Sequence, residues 1–532
     1  MSSTRPPTPQ WKWWVGGALV TLALAVLFPI IIVSGFYLEE DARGAAAWKS
    51  AVAEIEAHGE SVDRKKYLPA PIPDTNNFGA LPVFQTTTDS KNSKFQKAMA
   101  LNSALDPVAS RMVTSKKDEG SAKDKLPYLE KWTSGNSPDM AYVQKRLEDV
   151  CRNVRPDAPI PDNAAPTDLL EILCPMLGEF HSQNLTRSDC LFPLKYDVEP
   201  PTDISFGPIS VFIRMGKILV YEERLALYEK NPQLALDDLA VGWKVITGLH
   251  KQPLLISGLV ANGVSEMQLT VVQQGLNDHA WDDSQLKALD DALGKIDILA
   301  DGRFVITGDI VVFDLASTDY YEKHRFVTAR ELAALRGESM GIPESDSPNY
   351  LGRILFWLTP KGWFDQDKAL DVRFRLLGTA TLIDPAARRV FSEKEKKLMQ
   401  SYHGLHSPVF PDKPFLNSSS FITSSVKTVA YCQVHLDEAR IACRLERYHL
   451  LHGSYPDSLN ALVPDFGTEL PHDIMTGDSY HYKLLSGGSY LLYSVAWNQA
   501  DDGGAFATTP SQSPRDAADW VWKNHLDSEI TK

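Results

Sequence analysis

Recognised catalytic and cofactor-binding motifs are scarce in this chain. It contains no HExxH motif, no Walker phosphate-binding loop, no GxGxxG fingerprint and no CxxC pair. These absences remove the usual sequence support for a zincin, a P-loop nucleotidase, a dinucleotide-binding enzyme, a zinc ribbon or a thioredoxin-type site. The sequence therefore favours a non-catalytic role and leaves enzymatic activity open.

Cysteine is also scarce, with five residues in 532. An odd number cannot pair completely within one chain. Cys174 and Cys190 could form a disulfide in an oxidising compartment. Cys432 and Cys443 are separated by about 16 Å along a predicted helix, which is beyond the reach of a disulfide. We expect both of these to be small buried core residues.

Basic residues are fewer than acidic ones. The chain has 54 Lys and Arg residues and 68 Asp and Glu residues, which gives a net charge of −14. Nucleic acids and anionic membrane surfaces attract basic proteins. The charge balance therefore argues against a nucleic-acid partner and against docking on an anionic membrane surface. Adjacent acidic pairs, Asp237-Asp238 and Asp290-Asp291, are predicted to lie on solvated helix faces. Glu222, Glu223 and Arg224 follow an apolar run, where a buried Arg–Glu pair could organise the helices.

One long uncharged run, residues 15–37, contains 23 residues. About 20 apolar residues cross the hydrocarbon core of a bilayer as a helix. Aromatic residues flank the run, as they do at membrane interfaces: Trp11, Trp13, Trp14, Phe36 and Tyr37. We expect a single transmembrane helix here and no second span after residue 40. The alternative is a cleaved signal peptide, whose apolar core is shorter, roughly 7–15 residues.

The charges on either side of this run predict its orientation. Arg5 and Lys12 precede it, and an acidic group at 39–41 follows it. Because cytoplasmic flanks of membrane helices are enriched in basic residues, the N-terminus is predicted to be cytoplasmic. We therefore expect a membrane protein with a single span and most of its chain on the non-cytoplasmic side.

Periodicity predicts a mainly α fold that ends in a small α+β domain. Apolar residues recur at helical spacing in the middle of the chain, and prolines interrupt the region before it. The predicted organisation is a cytoplasmic tail (1–14), the transmembrane helix (15–37), a juxtamembrane helix with a proline-rich wrapping segment (38–208), a multi-helix extracytoplasmic body (209–405), a linker (406–424) and the α+β domain (425–532).

The predicted C-terminal domain begins with a long helix, residues 425–451. Gly453 supplies its C-terminal cap and Pro456 prevents its continuation. Two strand-like runs follow, 480–485 and 490–495, and the paired glycines between them favour a hairpin.

Several short motifs follow one another in this tail. They are Leu-Glu-Arg-Tyr at 445–448, His-Gly-Ser-Tyr-Pro-Asp-Ser-Leu at 452–459, Leu-Pro-His-Asp at 470–473, Tyr-Leu-Leu-Tyr-Ser at 490–494, Asp-Gly-Gly at 502–504 and Asp-Ala-Ala-Asp at 516–519. In order and spacing the tail resembles the globular domain of the type II secretion major pseudopilin. That resemblance implies a long helix packed on a small antiparallel sheet, and an acidic C-terminal loop that binds calcium.

The resemblance implies a calcium site in the loop that ends the tail. It favours Asp516 and Asp519 as carboxylate ligands. Calcium takes six to eight oxygen ligands, and further oxygens near in sequence are those of Asp501, Asp502, Ser494 and Asn498. The alternative is a solvated acidic loop.

The whole chain also resembles large membrane-anchored proteins of unknown function from Verrucomicrobia and related bacteria. The shared segments are Ile-Pro-Asp at 72–74, Gly-Trp-Phe at 362–364 and Asp-Trp-Val-Trp at 519–522. This resemblance implies no activity. A prepilin carries its cleavage glycine before the hydrophobic helix, whereas the Gly-Phe-Tyr-Leu-Glu of residues 35–39 lies after it. We therefore do not expect a filament subunit.

The leading functional hypothesis is a non-catalytic, membrane-anchored envelope protein with a scaffold or interaction role. A link to a type II secretion or pilus-like machine would supply envelope protein partners. The alternative is an envelope hydrolase, a lytic enzyme or a carbohydrate-binding protein with a site between the helical body and the C-terminal domain. Two convergent carboxylates at roughly 5–10 Å would favour a glycosidase.

Overall fold

The structure, a computed structural model, describes residues 11–85, 140–201, 204, 209–325, 350–402, 409, 419–485, 488–506 and 513–522. These residues are mostly helical, with a small antiparallel sheet near the C-terminus, as the sequence predicts. The chain divides into two compact units. Unit 1 comprises Met1–Val62, Leu315–Phe374 and Gly404–Ser418, and unit 2 comprises Asp63–Asp314, Arg375–His403 and Ser419–Lys532.

The described α-helices vary widely in length. In chain order they are α1 (Trp11–Ala57), α2 (Pro82–Gln85), α3 (Met140–Val154), α4 (Pro166–Leu173), α5 (Met176–Asn184), α6 (Ile209–Tyr228), α7 (Pro232–His250), α8 (Leu255–Asn277), α9 (Asp283–Leu293), α10 (Ile298–Asp309), α11 (Ala316–Lys323), α12 (Tyr350–Trp357), α13 (Lys361–Asp371), α14 (Leu377–Leu382), α15 (Glu395–Tyr402) and α16 (Ser419–His452). Two π-helical segments, Ile310–Leu315 and Val372–Leu376, follow α10 and α13.

The described strands form two antiparallel sheets. Strand β1 (Ile383–Asp384) pairs with β2 (Arg389–Val390). The larger sheet has the order β3-β4-β5, from β3 (His481–Leu484), β4 (Tyr490–Ser494) and β5 (Trp520–Trp522). The β3–β4 hairpin confirms the predicted one, with His481 opposite Tyr493 and Leu484 opposite Tyr490.

Helix α1 is a long helix of unit 1. At 1.5 Å per residue, its 47 residues extend about 70 Å. Its second half packs on α13, where Gly44 and Gly362 allow the two backbones to touch. A Cβ at either glycine would overlap the carbonyl oxygen of the facing helix. The predicted helix after the uncharged run is thus continuous with it.

Polar bonds fix the register of α1 on α13. The backbone nitrogen of Gly362 donates to Asp41 Oδ1 at 2.8 Å. Trp363 Nε1 donates to Glu40 Oε2 at 3.0 Å, and Glu40 is buried. Beyond the end of α13, Arg373 Nε pairs with Glu54 Oε2 at 2.8 Å. The acidic residues after the uncharged run are therefore contacts within unit 1 as well as topology signals.

Unit 2 is built around two groups of packed helices. Helices α6, α7 and α8 pack on one another, and the long α16 packs on α8, α9 and α10. Gln433 of α16 reaches the start of α10, where its Oε1 accepts from the backbone nitrogen of Ile298 at 2.8 Å. Asp282 caps the start of α9, where its side chain and that of Gln285 form a capping box.

Three features differ from the sequence expectations. Helix α8 is long and apolar enough to span a membrane, contrary to the expectation of no such run after residue 40, but 67% of its most apolar window is buried. Strand β5 was not predicted, because three residues are too few to show an alternating pattern. Cys174 and Cys190 are unbonded, and all five cysteines are buried.

The two compact units do not follow the predicted domain boundaries. The predicted body, residues 209–405, is divided between them, and the predicted tail shares unit 2 with much of that body. Most of the predicted linker, 406–424, lies outside the described residues, and α16 begins at Ser419. Independent folding of residues 425–532 stays a prediction.

The close contact in unit 1 gives a first test. We expect Gly44→Ala to destabilise the full chain by about 1–3 kcal/mol, because overpacking forces the two helix backbones apart. Thermal unfolding in detergent, followed through tryptophan fluorescence, measures this change. Gly35→Ala is the matched control on the same helix, since a Cβ there meets no atom within 4 Å. Equal melting temperatures for the two variants would contradict the account.

Candidate functional site

The predicted calcium loop is held together by hydrogen bonds of its own. Asp519 is buried, and its Oδ2 accepts from the backbone nitrogens of Gly504 at 2.7 Å and Ala505 at 3.1 Å. Gly503 and Gly504 have φ values of 74° and 83°, a conformation that suits glycine. Asp519 therefore shapes a tight glycine turn.

Three of the other predicted ligands lie at the same turn. Asp501 Oδ1 accepts from the Tyr493 hydroxyl at 2.8 Å and from the backbone nitrogen of Gly503 at 2.9 Å. Asp502 accepts from Asn498 Nδ2 at 2.8 Å. The structure thus brings Asp501, Asp502 and Asn498 to the turn that Asp519 caps.

The remaining two predicted ligands have other partners. Asp516 pairs with Lys427 of α16 at 2.5 Å. Ser494 is buried in β4, and its Oγ accepts from the backbone nitrogen of Ala496 at 3.2 Å. Within the described residues, the four aspartates do not bring three ligand atoms within 4.8 Å of one another. Calcium binding at this loop stays a prediction.

A different cluster of ionisable side chains lies inside the helices of unit 2. It contains His181 of α5, Glu222 of α6 and Asp238 of α7, whose ligand atoms all lie within 4.8 Å of one another. His181 Nε2 lies 2.5 Å from Asp238 Oδ1 and 3.7 Å from Glu222 Oε2. The side chain of His181 is 24% exposed, whereas Glu222 and Asp238 are buried.

This arrangement corrects the expectation for the Asp237-Asp238 pair. Adjacent residues on a helix point in different directions, so only one of them faces solvent here: Asp237 is exposed and Asp238 is fully buried. The second pair behaves the same way, since Asp290 is buried and binds Arg440 and Arg444.

The acidic residues of α6 lie in the interior because the apolar run that precedes them is buried. Glu222, Glu223 and Arg224 are all buried. Arg224 Nη2 donates to Thr270 Oγ1 of α8 at 3.1 Å. Oε2 of Glu222, Oδ2 of Asp238 and both carboxyl oxygens of Glu223 are buried without a hydrogen bond in the described part of the chain.

Burial and mutual repulsion disfavour charge on these carboxyl groups. Burial, reinforced by Asp238, raises the pKa of Glu222 to about 10. Burial also raises the pKa of Asp238 to about 6, although its hydrogen bond with His181 opposes the shift. That hydrogen bond in turn raises the pKa of His181 above its ordinary value. The cluster can therefore hold protons at neutral pH or neutralise its charge with a bound cation.

A second cluster joins α16 to the loop before α9. Its members are His279, Glu446 and His449. The carboxyl oxygens of Glu446 already have partners, His279 Nδ1 at 2.5 Å and the Tyr455 hydroxyl at 2.7 Å. The two imidazole rings stack with an interplanar angle of 18°. Because ring lone pairs lie in the ring planes, nearly parallel rings do not aim at one point, and this cluster is the weaker metal candidate.

The carboxyl pair of Glu222 and Asp238 does not match a glycosidase. Their oxygens are closer together than the roughly 5–10 Å of a catalytic pair, and both side chains are buried, so no sugar can lie between them. The described contact between the helical body and the tail is filled by ion pairs such as Arg444 Nε with Asp290 Oδ2 at 2.7 Å.

Sequence reasoning missed the His181 cluster because its members are distant in sequence and match no motif. Two adjacent glutamates directly after an apolar helical run were the available signal. A Gly-x-Ser-x-Gly pattern at residues 337–341 was also missed. It lies outside the described residues, and a nucleophile elbow requires a strand–turn–helix context to support it.

Comparison of the chain with protein-family models, with curated proteins and with solved structures finds no match. The functional assignment therefore depends on the chain's own geometry.

Proposed function

We propose that this chain is a membrane-anchored envelope protein with a non-catalytic scaffold or interaction role. The observation that carries the proposal is the two-part character of α1. Residues 21–36 present an exposed, uncharged surface on all sides, and the second part of the helix packs on α13 through Glu40, Asp41 and Gly44. A bilayer provides an apolar environment for the first part while unit 1 holds the second.

The exposed apolar surface of α1 is extensive. Side chains are exposed by half or more over several turns: Leu22, Leu24, Val26, Leu27, Phe28, Ile30, Ile31, Ile32 and Val33. Apolar surface left in water costs roughly 25 cal/mol per Å². Burial in lipid removes this cost for an anchor and for a signal peptide alike. The continuation of the same helix into the half that packs on α13 supports a retained anchor. Helix α8, the other helix of sufficient length, is already buried within unit 2.

A second apolar surface lies beside the end of the anchor. In and after α12, four side chains are between 44% and 59% exposed: Ile354, Leu355, Trp357 and Leu358. The Tyr37 hydroxyl donates to the Leu358 carbonyl, and Phe36 packs edge-on against Trp363. Aromatic residues prefer the membrane–water interface. We infer that α12 lies on the membrane surface where α1 enters it.

The charge flanks supply the proposed orientation. With Arg5 and Lys12 in the cytoplasm, the single span places the remaining residues in the periplasm of a bacterial inner membrane. The packing of α16 on the β4–β5 sheet agrees with the resemblance to the secretion pseudopilin. That resemblance supports, as partners, the proteins of a type II secretion or pilus-like machine, and copurification from membranes tests this link.

The hydrolase alternative receives no support from the described carboxyl pairs. The carboxyls of Glu222 and Asp238 are inaccessible to a sugar, and Asp290 is occupied by two arginines. A scaffold role requires surfaces rather than a cleft, and it agrees with these closed contacts.

The proposed topology has a direct test. Alkaline phosphatase fused after Lys532 should be active, because this enzyme folds only in an oxidising, non-cytoplasmic compartment. A green fluorescent protein fused before Met1 should fluoresce in the same cells, since that end is proposed to be cytoplasmic. Phosphatase inactivity in an intact membrane-bound fusion would contradict the orientation.

The position of α12 has its own test. A spin label on Leu355→Cys, in the full chain reconstituted in vesicles, should be more accessible to oxygen than to a water-soluble nickel chelate. The native cysteines are buried and should not label. Lys49→Cys is the control. Lys49 is an exposed residue in the half of α1 that packs on α13, and the nickel chelate should reach a label there more easily. If the label at residue 355 is as accessible to the nickel chelate as the label at residue 49, α12 does not contact the membrane.

A further inference from the structure

Three helices of unit 2 converge on a buried set of metal-ligand side chains. His181 comes from α5, Glu222 from α6 and Asp238 from α7, and their ligand atoms lie within 4.8 Å of one another. No two of these residues are neighbours in sequence. The convergence is therefore a product of the helix packing, and any group that bound all three would tie these helices together.

In the described part of the chain, no N–H or hydroxyl group donates to two oxygens of this set. Oε2 of Glu222 is buried and lies 3.7 Å from His181 Nε2, and the carboxyl group of Glu222 shares a hydrogen bond with that of Asp238. Oδ2 of Asp238 is likewise buried and receives no bond from an N–H or hydroxyl donor among these residues. An unsatisfied buried carboxyl group costs free energy, and a buried carboxylate costs far more unless it is paired or coordinates a metal. These oxygens are therefore positioned to gain from a cation.

Neighbouring groups increase the negative character of the site. Glu223, fully buried, adds a carboxyl group whose strongest charge interaction is with Asp238. Glu171 acts on Glu222 in the same direction. The opposing positive groups are His181, which hydrogen-bonds Asp238, and Arg224, which acts on Glu223. Carboxyl groups thus outnumber cations around the cluster.

We propose that His181, Glu222 and Asp238 bind one divalent transition-metal ion, which links α5, α6 and α7. An imidazole nitrogen with carboxylate oxygens is a ligand set that zinc and similar ions accept. Calcium and magnesium prefer oxygen ligands alone, so they fit this set less well. The partly exposed face of His181 provides the route from solvent.

Binding requires a small change in geometry. At zinc bond lengths of about 2.0–2.2 Å, two ligand atoms in a tetrahedral shell are about 3.4 Å apart. His181 Nε2 and Asp238 Oδ1 are 2.5 Å apart, so they must separate by about 1 Å. The ion replaces the hydrogen bond between them: the proton shared by Nε2 and Oδ1 is released to solvent, so that Nε2 binds through its lone pair and Asp238 binds as a carboxylate. Glu222 also releases its proton to solvent and binds as a carboxylate.

Zinc titration of the full-length protein tests this inference. The protein is first depleted of metal with a chelator and then titrated with Zn²⁺ in competition with a chromophoric chelator. We expect one ion per chain at this site, and a higher melting temperature with zinc than without it. Glu222→Gln and Asp238→Asn should each weaken binding on the order of 100-fold, since even outer-shell changes cost 10–100-fold.

Two controls make the outcome decisive. Asp237→Asn removes an exposed carboxylate next to the site and should bind zinc as wild type does. His279→Gln disrupts the second cluster and should also leave this binding unchanged. Because Glu222→Gln keeps the size of a side chain whose raised pKa leaves it uncharged in the metal-free protein, helical circular dichroism should show that the variant folds. The proposal is overturned if wild type takes up no zinc, or if its zinc is lost with His279→Gln and kept with Glu222→Gln.

Discussion

The contact between Gly44 and Gly362 is the constraint on which unit 1 depends. It allows the backbones of α1 and α13 to touch, so that Asp41 can accept from the Gly362 nitrogen and Glu40 from Trp363. The same helix continues, without interruption, into an apolar segment with exposed side chains. The packing of the second half therefore holds the nearest turns of the apolar half in place, up to Pro29, where the helix lacks one backbone hydrogen bond. Any apolar environment around the first half is therefore coupled mechanically to unit 1.

Unit 2 has a different physical problem, which is buried charge. Along α16, Asp437 pairs with Arg388 and Arg444 with Asp290, so most of its buried ionic groups are matched. Around Glu222 and Glu223 the matching is incomplete. Breaking a buried ion pair is strongly destabilising because it leaves an uncompensated charge. An unmatched group of buried carboxyls must therefore hold protons or bind a cation.

Long, strongly patterned features could be predicted from the sequence. The uncharged run, the continuation of its helix, the capping box at Asp282 and the hairpin of residues 481–494 follow from local rules of charge, capping and turn formation. The burial of Asp238 could not be predicted this way, because it depends on which face of α7 meets α6. The resemblance to the pseudopilin implies Asp516 as a calcium ligand, whereas its carboxylate pairs with Lys427 of α16, a helix distant in sequence. Local rules thus locate elements, and tertiary packing decides which side chains meet.

The central claim is that the apolar half of α1 stays attached to the protein and lies in the membrane. The most direct measurement is the intact mass of the chain purified from membranes that have been washed with alkaline carbonate. A retained anchor predicts that the chain remains in the washed membranes at its full mass of 59.2 kDa. A chain recovered in the wash, with a mass that lacks residues 1–37, would show that the segment is a cleaved signal and contradict the account.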